Sequence, residues 1–426
     1  MTQGVTDATW ERMVVSGTFP RMDVTSHLLP SRRQFAGDDI IFTLNGRAQK
    51  RAAEGAQVIN ATIGALYDDA GKLVVLETVM GQWQQLTSGE VAPYAPIGGD
   101  PAYLLNLVQR HWPSLTSIGV GVASPGGSGA LALTLKNLLE GGNTVLTAAP
   151  YWGPYSTLAA EVGMTLATVP YPDVTTGIDI GAWEAACRDI LDAQGRLLVW
   201  LNDPCHNPTG RSFSPADRAA LMEMLRDVSS QGPVTLILDL AYLDYARDPQ
   251  QVRAALDDYA AFGAEGKVLV GACLSLSKAY TLYGARAGAL VFPWTTDAAL
   301  HGALITSCRG TWSNCARAPM SVLNRISRDA ALQAQLEQEH AHWRTLLAAR
   351  AEALDTALKA QGLPGCAYDG GFFVTLDGGS DPAATCERLQ AHDVFVIPLP
   401  EGLRVGICAM RAADAERFAV AYASSR

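Results

Sequence analysis

The stretch GKVLVGACLSLSKAYTLYGAR, residues 266–286, places one lysine directly after a long apolar run. The run ends near Leu274 and is typical of a buried strand; Ser275, Ser277 and Lys278 follow it. A charged amine at the end of a buried strand is costly to desolvate unless it has partners or has reacted. Lys278 is therefore either an ordinary lysine in a polar loop or a chemical group held at a strand end.

Six further apolar runs share this character and are separated by helical patterns: SIGVGVAS, NTVLTAA, GMTLATVPY, GRLLVWLN, PVTLILDLAY and AGALVF. Their apolar residues are continuous rather than alternating, as expected where helices cover both faces of a parallel sheet. One intervening helix begins with Ser214 as its N-cap, Pro215 at its first position and Asp217 in its first turn. The pattern predicts an α/β fold whose large domain holds a mostly parallel, seven-stranded sheet covered by helices.

The chain of 426 residues is long enough for two domains, because single cores stop growing near about 250–300 residues. We expect an N-terminal arm and part of the small domain in residues 1–80, a large domain in 81–325 and a small α+β domain in 326–426. Residues 1–38 predict an arm or extension, and the helix that follows them is expected to pack with the small domain. The small domain is predicted to contain one long helix capped by Gly362, then the strands GGFFVTL and LRVGICAM.

The net charge of −10 argues against nucleic acid and anionic membranes as partners. We expect no signal peptide, because no basic segment precedes an apolar one, and no run approaches the roughly 18 apolar residues of a membrane helix. The eight cysteines are scattered without a CxxC pair, which favours reduced thiols, a cytoplasmic protein and no metal site.

Polar side chains follow four of the predicted strands, where open α/β sheets bind their ligands. Asn207 lies in the loop DPCHNPTG, Asp239 ends VTLILD with Tyr242 three residues on, and Lys278 follows ACLSL. The glycines of PGGSGAL open a helix after IGVGVAS. Taken singly, each has a structural explanation: a cap, a packed aromatic ring, a solvated lysine or a tight turn. A glycine-rich loop alone is weak support for phosphate binding.

Together the motifs resemble those of the pyridoxal-phosphate enzymes of fold type I, and more narrowly the class I aminotransferases of the aspartate and aromatic group. HNPTG, the aspartate with its tyrosine, SLSKAYTLYGARAG and RVGI occur in the family's order. The resemblance runs from about residue 39 to the C-terminus and includes IGALYDDAGK, YAPIGGDPAY, PGGSGAL, PYWGPY and SCRGTWSN. It implies an enzyme of amino acid metabolism and biosynthesis that uses pyridoxal 5′-phosphate. Such an enzyme moves an amino group from aspartate or an aromatic amino acid to a 2-oxo acid such as 2-oxoglutarate, by a ping-pong cycle.

The resemblance implies a role for each residue at the reacting end of the cofactor. Lys278 would form a Schiff base with its aldehyde and later move a proton between the substrate Cα and C4′. Asp239 would face the pyridine nitrogen and keep it protonated, so that the ring accepts electrons. Tyr242 and Asn207 would hydrogen-bond the phenolic oxygen.

The phosphate would lie at the N-terminus of the helix that begins in PGGSGAL, as the resemblance also implies. The amides of Gly127 and Ser128 would bind it, with Ser275 and the bidentate Arg286 completing the site. Trp152 would stack on the ring.

For the substrate, the resemblance assigns the α-carboxylate to Arg404, whose planar guanidinium fixes a carboxylate better than a lysine does. Gly64 would add a backbone contact. Trp152 and Asn207 would also contact the substrate.

Two residues are expected to act across a homodimer with shared sites. Tyr94 resembles the tyrosine that reaches the phosphate of the neighbouring subunit. Arg309 resembles the arginine that binds a side-chain carboxylate across the interface, or it is a structural interface residue. Trp312 and Cys315 depart from the family's usual tyrosine and proline in this segment.

Other functions share these motifs. Lyases and decarboxylases of the same fold use the same lysine, aspartate and phosphate site, and differ in which bond at Cα is broken. A cofactor-binding regulator would carry a DNA-binding domain in front, and the N-terminal segment shows no helix-turn-helix pattern. A non-catalytic relative would be expected to have lost one of Lys278, Asp239, Arg286 or Arg404, and all four are present.

Overall fold

The computed structural model describes residues 27–29 and 39–426. The chain divides into two compact units, Met1–Thr43 and Leu44–Arg426. The predicted arm of residues 1–38 lies outside the described residues, except for positions 27–29. Helix α1 spans Ile40–Ala53 and strand β1 spans Ile59–Asn60.

A seven-stranded sheet forms the centre of the second unit, in the order β2-β8-β7-β6-β5-β3-β4. Its strands are β2 (Val120–Ser124), β3 (Thr144–Ala149), β4 (Thr165–Pro170), β5 (Leu197–Leu201), β6 (Val234–Asp239), β7 (Leu269–Ser275) and β8 (Gly288–Phe292). The pairs β4–β3, β3–β5, β5–β6 and β6–β7 are parallel, whereas β8 is antiparallel to both β7 and β2. The prediction of a mostly parallel sheet of seven strands is confirmed, and six strands end at the same edge.

Helices surround this sheet and continue the chain beyond it. They are α2 (Glu77–Gln84), α3 (Ser88–Val91), α4 (Pro101–His111), α5 (Gly126–Leu138), α6 (Pro154–Glu161), α7 (Ile180–Gln194), α8 (Pro215–Val228), α9 (Pro249–Ala264), α10 (Leu276–Ala279), α11 (Ala298–Thr311), α12 (Arg317–Arg328), α13 (Ala330–Ala360), α14 (Pro382–Gln390) and α15 (Ala415–Ser425). Helix α5 packs against β7 and β8, α7 against β3, β4 and β5, and α9 against β7.

Burial explains the continuous apolar runs. Every residue of β2, β5, β6 and β8 is buried, as expected where both faces of a sheet are covered. Strand β4 differs because it lies at the sheet edge, and only Val169 of its residues is buried. Helix α8 begins as predicted: Ser214 Oγ accepts from the Asp217 amide at 3.1 Å, and Asp217 Oδ2 accepts from the Ser214 amide at 3.1 Å.

Two small sheets lie outside the central one. Strand β10 (Val394–Phe395) pairs in parallel with β1, and β11 (Ile397–Leu399), β12 (Gly402–Gly406) and β9 (Phe373–Leu376) form an antiparallel sheet. Helix α13 ends shortly before Gly362, which adopts a φ of 71° as a helix-terminating glycine does. The domain boundaries at residues 80/81 and 325/326 remain a prediction.

All eight cysteines lie in the described part of the chain, and each is a free thiol. Within residues 27–29 and 39–426, no helix is both long and apolar enough to cross a membrane. The same residues contain no group of three or more His, Cys, Asp or Glu side chains placed to bind a metal ion.

Candidate active site

A cavity of about 150 Å³ lies where strands of the central sheet end. Its lining consists of Gly127, Ser128, Trp152, Asn202, Asn207, Asp239, Ala241, Tyr242, Ser275, Ser277, Lys278, Tyr283 and Arg286. All of the predicted site residues except Gly64, Tyr94, Arg309 and Arg404 are in this set. Three wider clefts in the second unit contain none of the predicted residues, so the chemistry is concentrated here.

Lys278 lies in the short helix α10, directly after β7, with its amine directed across the cavity. Its Nζ donates to the backbone oxygen of Gly64 at 2.7 Å. The same Nζ is 4.8 Å from the ring centroid of Tyr283 and 5.9 Å from that of Tyr242. The structure therefore brings Gly64 to the lysine although Gly64 is outside the cavity lining.

The pKa of Lys278 is lowered from its ordinary value to about 8. Burial is the largest cause, and the positive charges of Arg286 and Arg404 act in the same direction, while Cys408 opposes them. Desolvation and nearby cations both disfavour the ammonium form. A lysine of this kind can react as a neutral amine near neutral pH.

Asp239 ends β6 with a buried carboxylate that is 7% exposed. Burial raises its pKa to about 6, and hydrogen bonds from Tyr155 and from the backbone of Ala241 oppose this rise. The Tyr155 hydroxyl donates to Asp239 Oδ2 at 2.7 Å. Both donors are uncharged, so the carboxylate keeps its capacity to pair with a cationic group in the cavity.

Asn207 and Tyr242 form a hydrogen-bonded pair in the cavity lining. Asn207 Nδ2 donates to the Tyr242 hydroxyl at 3.4 Å, and its buried Oδ1 has no hydrogen-bond partner among the residues that the structure describes. Asn202 supports the pair: its Oδ1 accepts from the Asn207 amide at 2.6 Å and its Nδ2 donates to the Asp239 carbonyl at 2.7 Å. Asn202 thus links the loop that carries Asn207 to the end of β6 at Asp239.

The N-terminus of α5 faces Arg286. Gly126, the first residue of α5, has a φ of 73°, and a Cβ there would lie 2.6 Å from Arg286 Nη2. A Cβ on Gly127 would lie 3.7 Å from the Cβ of Ser275, so the helix start and the end of β7 are in contact. Arg286 Nη1 donates to Ser277 Oγ at 3.1 Å. Free helix amides, hydroxyls and a guanidinium make a site suited to a phosphate.

Arg404 in β12 lies beside this cavity. Its Nη2 donates to the backbone oxygen of Thr62 at 2.7 Å, and its Cζ is 4.5 Å from the ring centroid of Phe373. A Cβ on Gly64 would lie 3.0 Å from Phe373 Cζ, which places Gly64 on the same ring. Gly64 therefore links the two residues, because its carbonyl accepts from Lys278 Nζ and its Cα lies against the ring on which Arg404 packs.

Tyr94 and Arg309 are not brought to the cavity within one chain. The side chain of Tyr94 is exposed, and its backbone oxygen accepts from Arg317 Nη1 at 3.3 Å. Arg309 is also exposed, and its Nη1 donates to Ser313 Oγ at 2.6 Å. Their predicted roles across a dimer interface remain predictions.

Four polar side chains at the site are absent from the sequence-based prediction: Tyr155, Asn202, Ser277 and Tyr283. Ser277 and Tyr283 lie inside the lysine segment, and Tyr155 inside PYWGPY, so motifs already singled out contained them. Asn202 follows an apolar strand, which was a detectable signal. Tyr283 anchors the N-terminal segment, because its hydroxyl accepts from the Leu66 amide at 3.0 Å.

Comparisons with known proteins show which proteins this chain is similar to. The family described as "Aminotransferase class I and II" matches residues 56–421. A tyrosine aminotransferase of Rhizobium meliloti is 26% identical over 91% of this chain and 97% of its own length. An aromatic-amino-acid aminotransferase of Escherichia coli K12 is 27% identical over 92% and 98%, respectively.

Solved structures show the same fold. An aminotransferase from Anaerococcus prevotii aligns with a TM-score of 0.85 and 27% identity, over 93% of this chain and 98% of that chain. An aromatic-amino-acid aminotransferase from Burkholderia pseudomallei, covalently bound to pyridoxal phosphate, aligns with a TM-score of 0.77 and 24% identity over 93% and 99%.

Proposed function

Because the chain belongs to the class I and II aminotransferases, we propose that it moves an amino group between aspartate or an aromatic L-amino acid and a 2-oxo acid such as 2-oxoglutarate. The chain is a pyridoxal-phosphate-dependent transaminase. The observation that carries the proposal is the convergence of Lys278, Asp239 and Arg286 on one cavity.

The residues of this cavity fit the cofactor. The buried Asp239 carboxylate, held by uncharged donors, complements a protonated ring nitrogen. The unpaired Oδ1 of Asn207 marks a side-chain amide that has hydrogen-bonding capacity left for a ligand. Gly126 leaves the space that Arg286 occupies in front of the α5 N-terminus. When bound, the cofactor supplies an aldehyde that takes up the amino group and a ring that stabilises negative charge at the substrate Cα.

Lys278 is proposed to hold the cofactor and then to serve as the base. Its Nζ would take the proton from the substrate Cα and return it at the cofactor's C4′, on the far side of the amino nitrogen. A pKa of about 8 leaves a useful fraction of the amine neutral near neutral pH. The bond to the Gly64 carbonyl places the amine between the cavity and the segment beside Arg404.

The other cavity residues are proposed to bind and orient. Asp239 would keep a proton on the ring nitrogen, Tyr242 and Asn207 would contact the phenolic oxygen, and Trp152 would cover one ring face. The Gly127 and Ser128 amides, Ser275 and Arg286 would bind the phosphate. Ser277 would act through Arg286, whose guanidinium it orients at 3.1 Å.

Arg404 is proposed to bind the α-carboxylate of both the amino donor and the 2-oxo acid, with Gly64 adding a backbone contact. Its burial and its stacking on Phe373 fix the guanidinium plane, which favours a bidentate pair with a carboxylate. One arginine can serve both halves of a ping-pong cycle, because every substrate carries this group.

We also propose a cytoplasmic homodimer in which Tyr94 and Arg309 complete the partner's site. The exposure of both side chains, away from the cavity of their own chain, supports this arrangement. Co-expression of Lys278→Ala chains with Arg309→Ala chains tests it. If Arg309 serves the partner, hybrid dimers contain one intact site and activity toward dicarboxylic substrates returns; if it serves its own chain, the hybrids stay inactive.

The reaction class is tested by product analysis with a panel of amino donors and 2-oxoglutarate. Transamination yields glutamate and the donor's oxo acid in equal amounts. Release of ammonia or carbon dioxide in place of glutamate would assign the chain to the lyases or decarboxylases of the same fold. Cofactor binding without turnover of any donor would favour a binding protein.

A further inference from the structure

We propose that Tyr155 is a positioning residue whose uncharged hydroxyl keeps Asp239 ionised and oriented toward the cofactor's ring nitrogen. The inference rests on the proposed function, because it concerns how the same cavity binds pyridoxal phosphate. It assigns to Tyr155 control over cofactor affinity rather than contact with the substrate.

The first support is geometric. The Tyr155 hydroxyl donates to Asp239 Oδ2 at 2.7 Å, and both side chains are buried. Tyr155 lies in the first turn of α6, and its amide bonds to the Trp152 carbonyl at 2.9 Å. One turn of the chain thus carries both Trp152, which is proposed to cover the cofactor ring, and Tyr155, which contacts Asp239.

The second support is packing. The ring centroid of Tyr155 is 5.0 Å from that of Trp200, 5.7 Å from Trp152 and 6.4 Å from Tyr151. A ring enclosed on several sides cannot swing its hydroxyl away, so the hydrogen bond is formed before the cofactor arrives. The carboxylate is therefore preorganised.

The third support is electrostatic. Among the influences on the Asp239 pKa, the Tyr155 hydrogen bond is the largest that opposes burial. Burial raises the pKa of Tyr155 itself well above its ordinary value, so the hydroxyl keeps its proton. A neutral donor stabilises the carboxylate without neutralising it, whereas an arginine in this place would compete with the ring nitrogen for the same charge.

The test measures the dissociation constant of pyridoxal phosphate from the apo-protein across pH. Tyr155→Phe keeps the ring and removes the donor, and Tyr151→Phe is the matched control in the same aromatic cluster. We expect Tyr155→Phe to weaken cofactor binding about tenfold or more, because hydrogen bonds to charged groups are among the stronger ones. The acidic limb of the binding profile should shift to higher pH, since the Asp239 pKa rises when the donor is lost. Tyr151→Phe should leave both quantities unchanged.

A double-mutant cycle identifies the route of the effect. In an Asp239→Asn background, Tyr155→Phe should change affinity by less than about threefold, because the ionised partner is gone. If Tyr155→Phe does not fold, Tyr155→Met supplies a second variant without the donor. An unchanged acidic limb, or an equal loss in the Asp239→Asn background, would overturn the inference. Wild-type apo-protein that binds no cofactor would instead contradict the proposed function.

Discussion

Lys278 Nζ donates a 2.7 Å hydrogen bond to the carbonyl of Gly64, which lies 214 positions earlier in the chain. The lysine follows β7 of the central sheet, whereas Gly64 follows β1, which pairs with β10 outside that sheet. The contact joins the sheet that carries the cofactor residues to the segment beside Arg404. Cofactor and substrate residues are thereby held around one amine.

Gly126→Ala tests the phosphate site. A methyl group there would lie 2.6 Å from Arg286 Nη2, and a φ of 73° is strained for alanine. The guanidinium can move away, so we expect folding to survive and cofactor affinity to fall about tenfold, the loss of one good charge-assisted contact. Titration of the apo-protein measures this, with Gly141→Ala, where the new methyl meets open space, as the control. Equal affinity in the two variants would contradict the placement of the phosphate.

Asp239→Asn should make the apo-protein more stable while weakening cofactor binding. The pKa of Asp239 in the folded chain is about 6, above its ordinary value of 3.8. A carboxyl group whose pKa is raised in the folded state contributes to stability below its ordinary pKa. This contribution is lost as the pH rises through the folded-state pKa of about 6. At pH 7 the neutral asparagine avoids that cost, and we expect a gain of roughly 1 to 3 kcal/mol in the free energy of unfolding.

Chemical denaturation at several pH values measures this difference. The advantage of Asp239→Asn should shrink toward pH 4, where the wild-type carboxyl is also largely neutral. A variant that is less stable than wild type at pH 7 would contradict the raised pKa of the buried carboxyl.

Arg404→Lys should raise KM for amino donors and oxo acids alike. Lysine keeps the charge but loses the planar bidentate geometry and the stacking on Phe373, so a rise of roughly tenfold or more is expected. Arg411→Lys, which alters an exposed ion pair with Asp414, is the control. Steady-state kinetics with both substrate types test this prediction. A rise in KM for only the amino donor or only the oxo acid would contradict the claim that Arg404 binds the carboxylate of both.

Asn202→Ala should reduce both stability and cofactor affinity. It leaves the Asn207 amide and the Asp239 carbonyl without their present partner, at about 1 to 3 kcal/mol for each buried group. Asn106→Ala removes a single side-chain bond to Asn324, and neither residue lines the cavity, so it should affect stability only. Thermal unfolding of the apo-protein and cofactor titration separate the two effects.

The sequence predicted the elements that depend on local patterns. Continuous apolar runs identified all strands of the central sheet, and Ser214 as N-cap with Pro215 at the first position marked the start of α8 correctly. Polar residues at strand ends identified most of the cavity, because parallel strands bring their carboxyl ends to one edge. Periodicity carries no information on strand direction or order, so the antiparallel β8 and the exposed edge strand β4 were not specified.

Side-chain pairs between distant elements were also beyond the sequence. Tyr155 and Asp239 are 84 positions apart, and neither motif indicates that their side chains meet. The position of Asn202 after a strand was detectable, but its contacts were not, since its two partners become neighbours only when β5 and β6 pair. The roles of Tyr94 and Arg309 depend on a second subunit and remain predictions.

The most direct test of the central claim is the visible absorbance of the purified holoprotein during a half-reaction. Aspartate or an aromatic amino acid, added without an oxo acid, should bleach the band of the lysine-bound cofactor, and 2-oxoglutarate should restore it. Lys278→Ala should show neither the band nor the cycle. A wild-type protein that takes up no pyridoxal phosphate, or whose band cannot be cycled by any donor and oxo acid, would contradict the account.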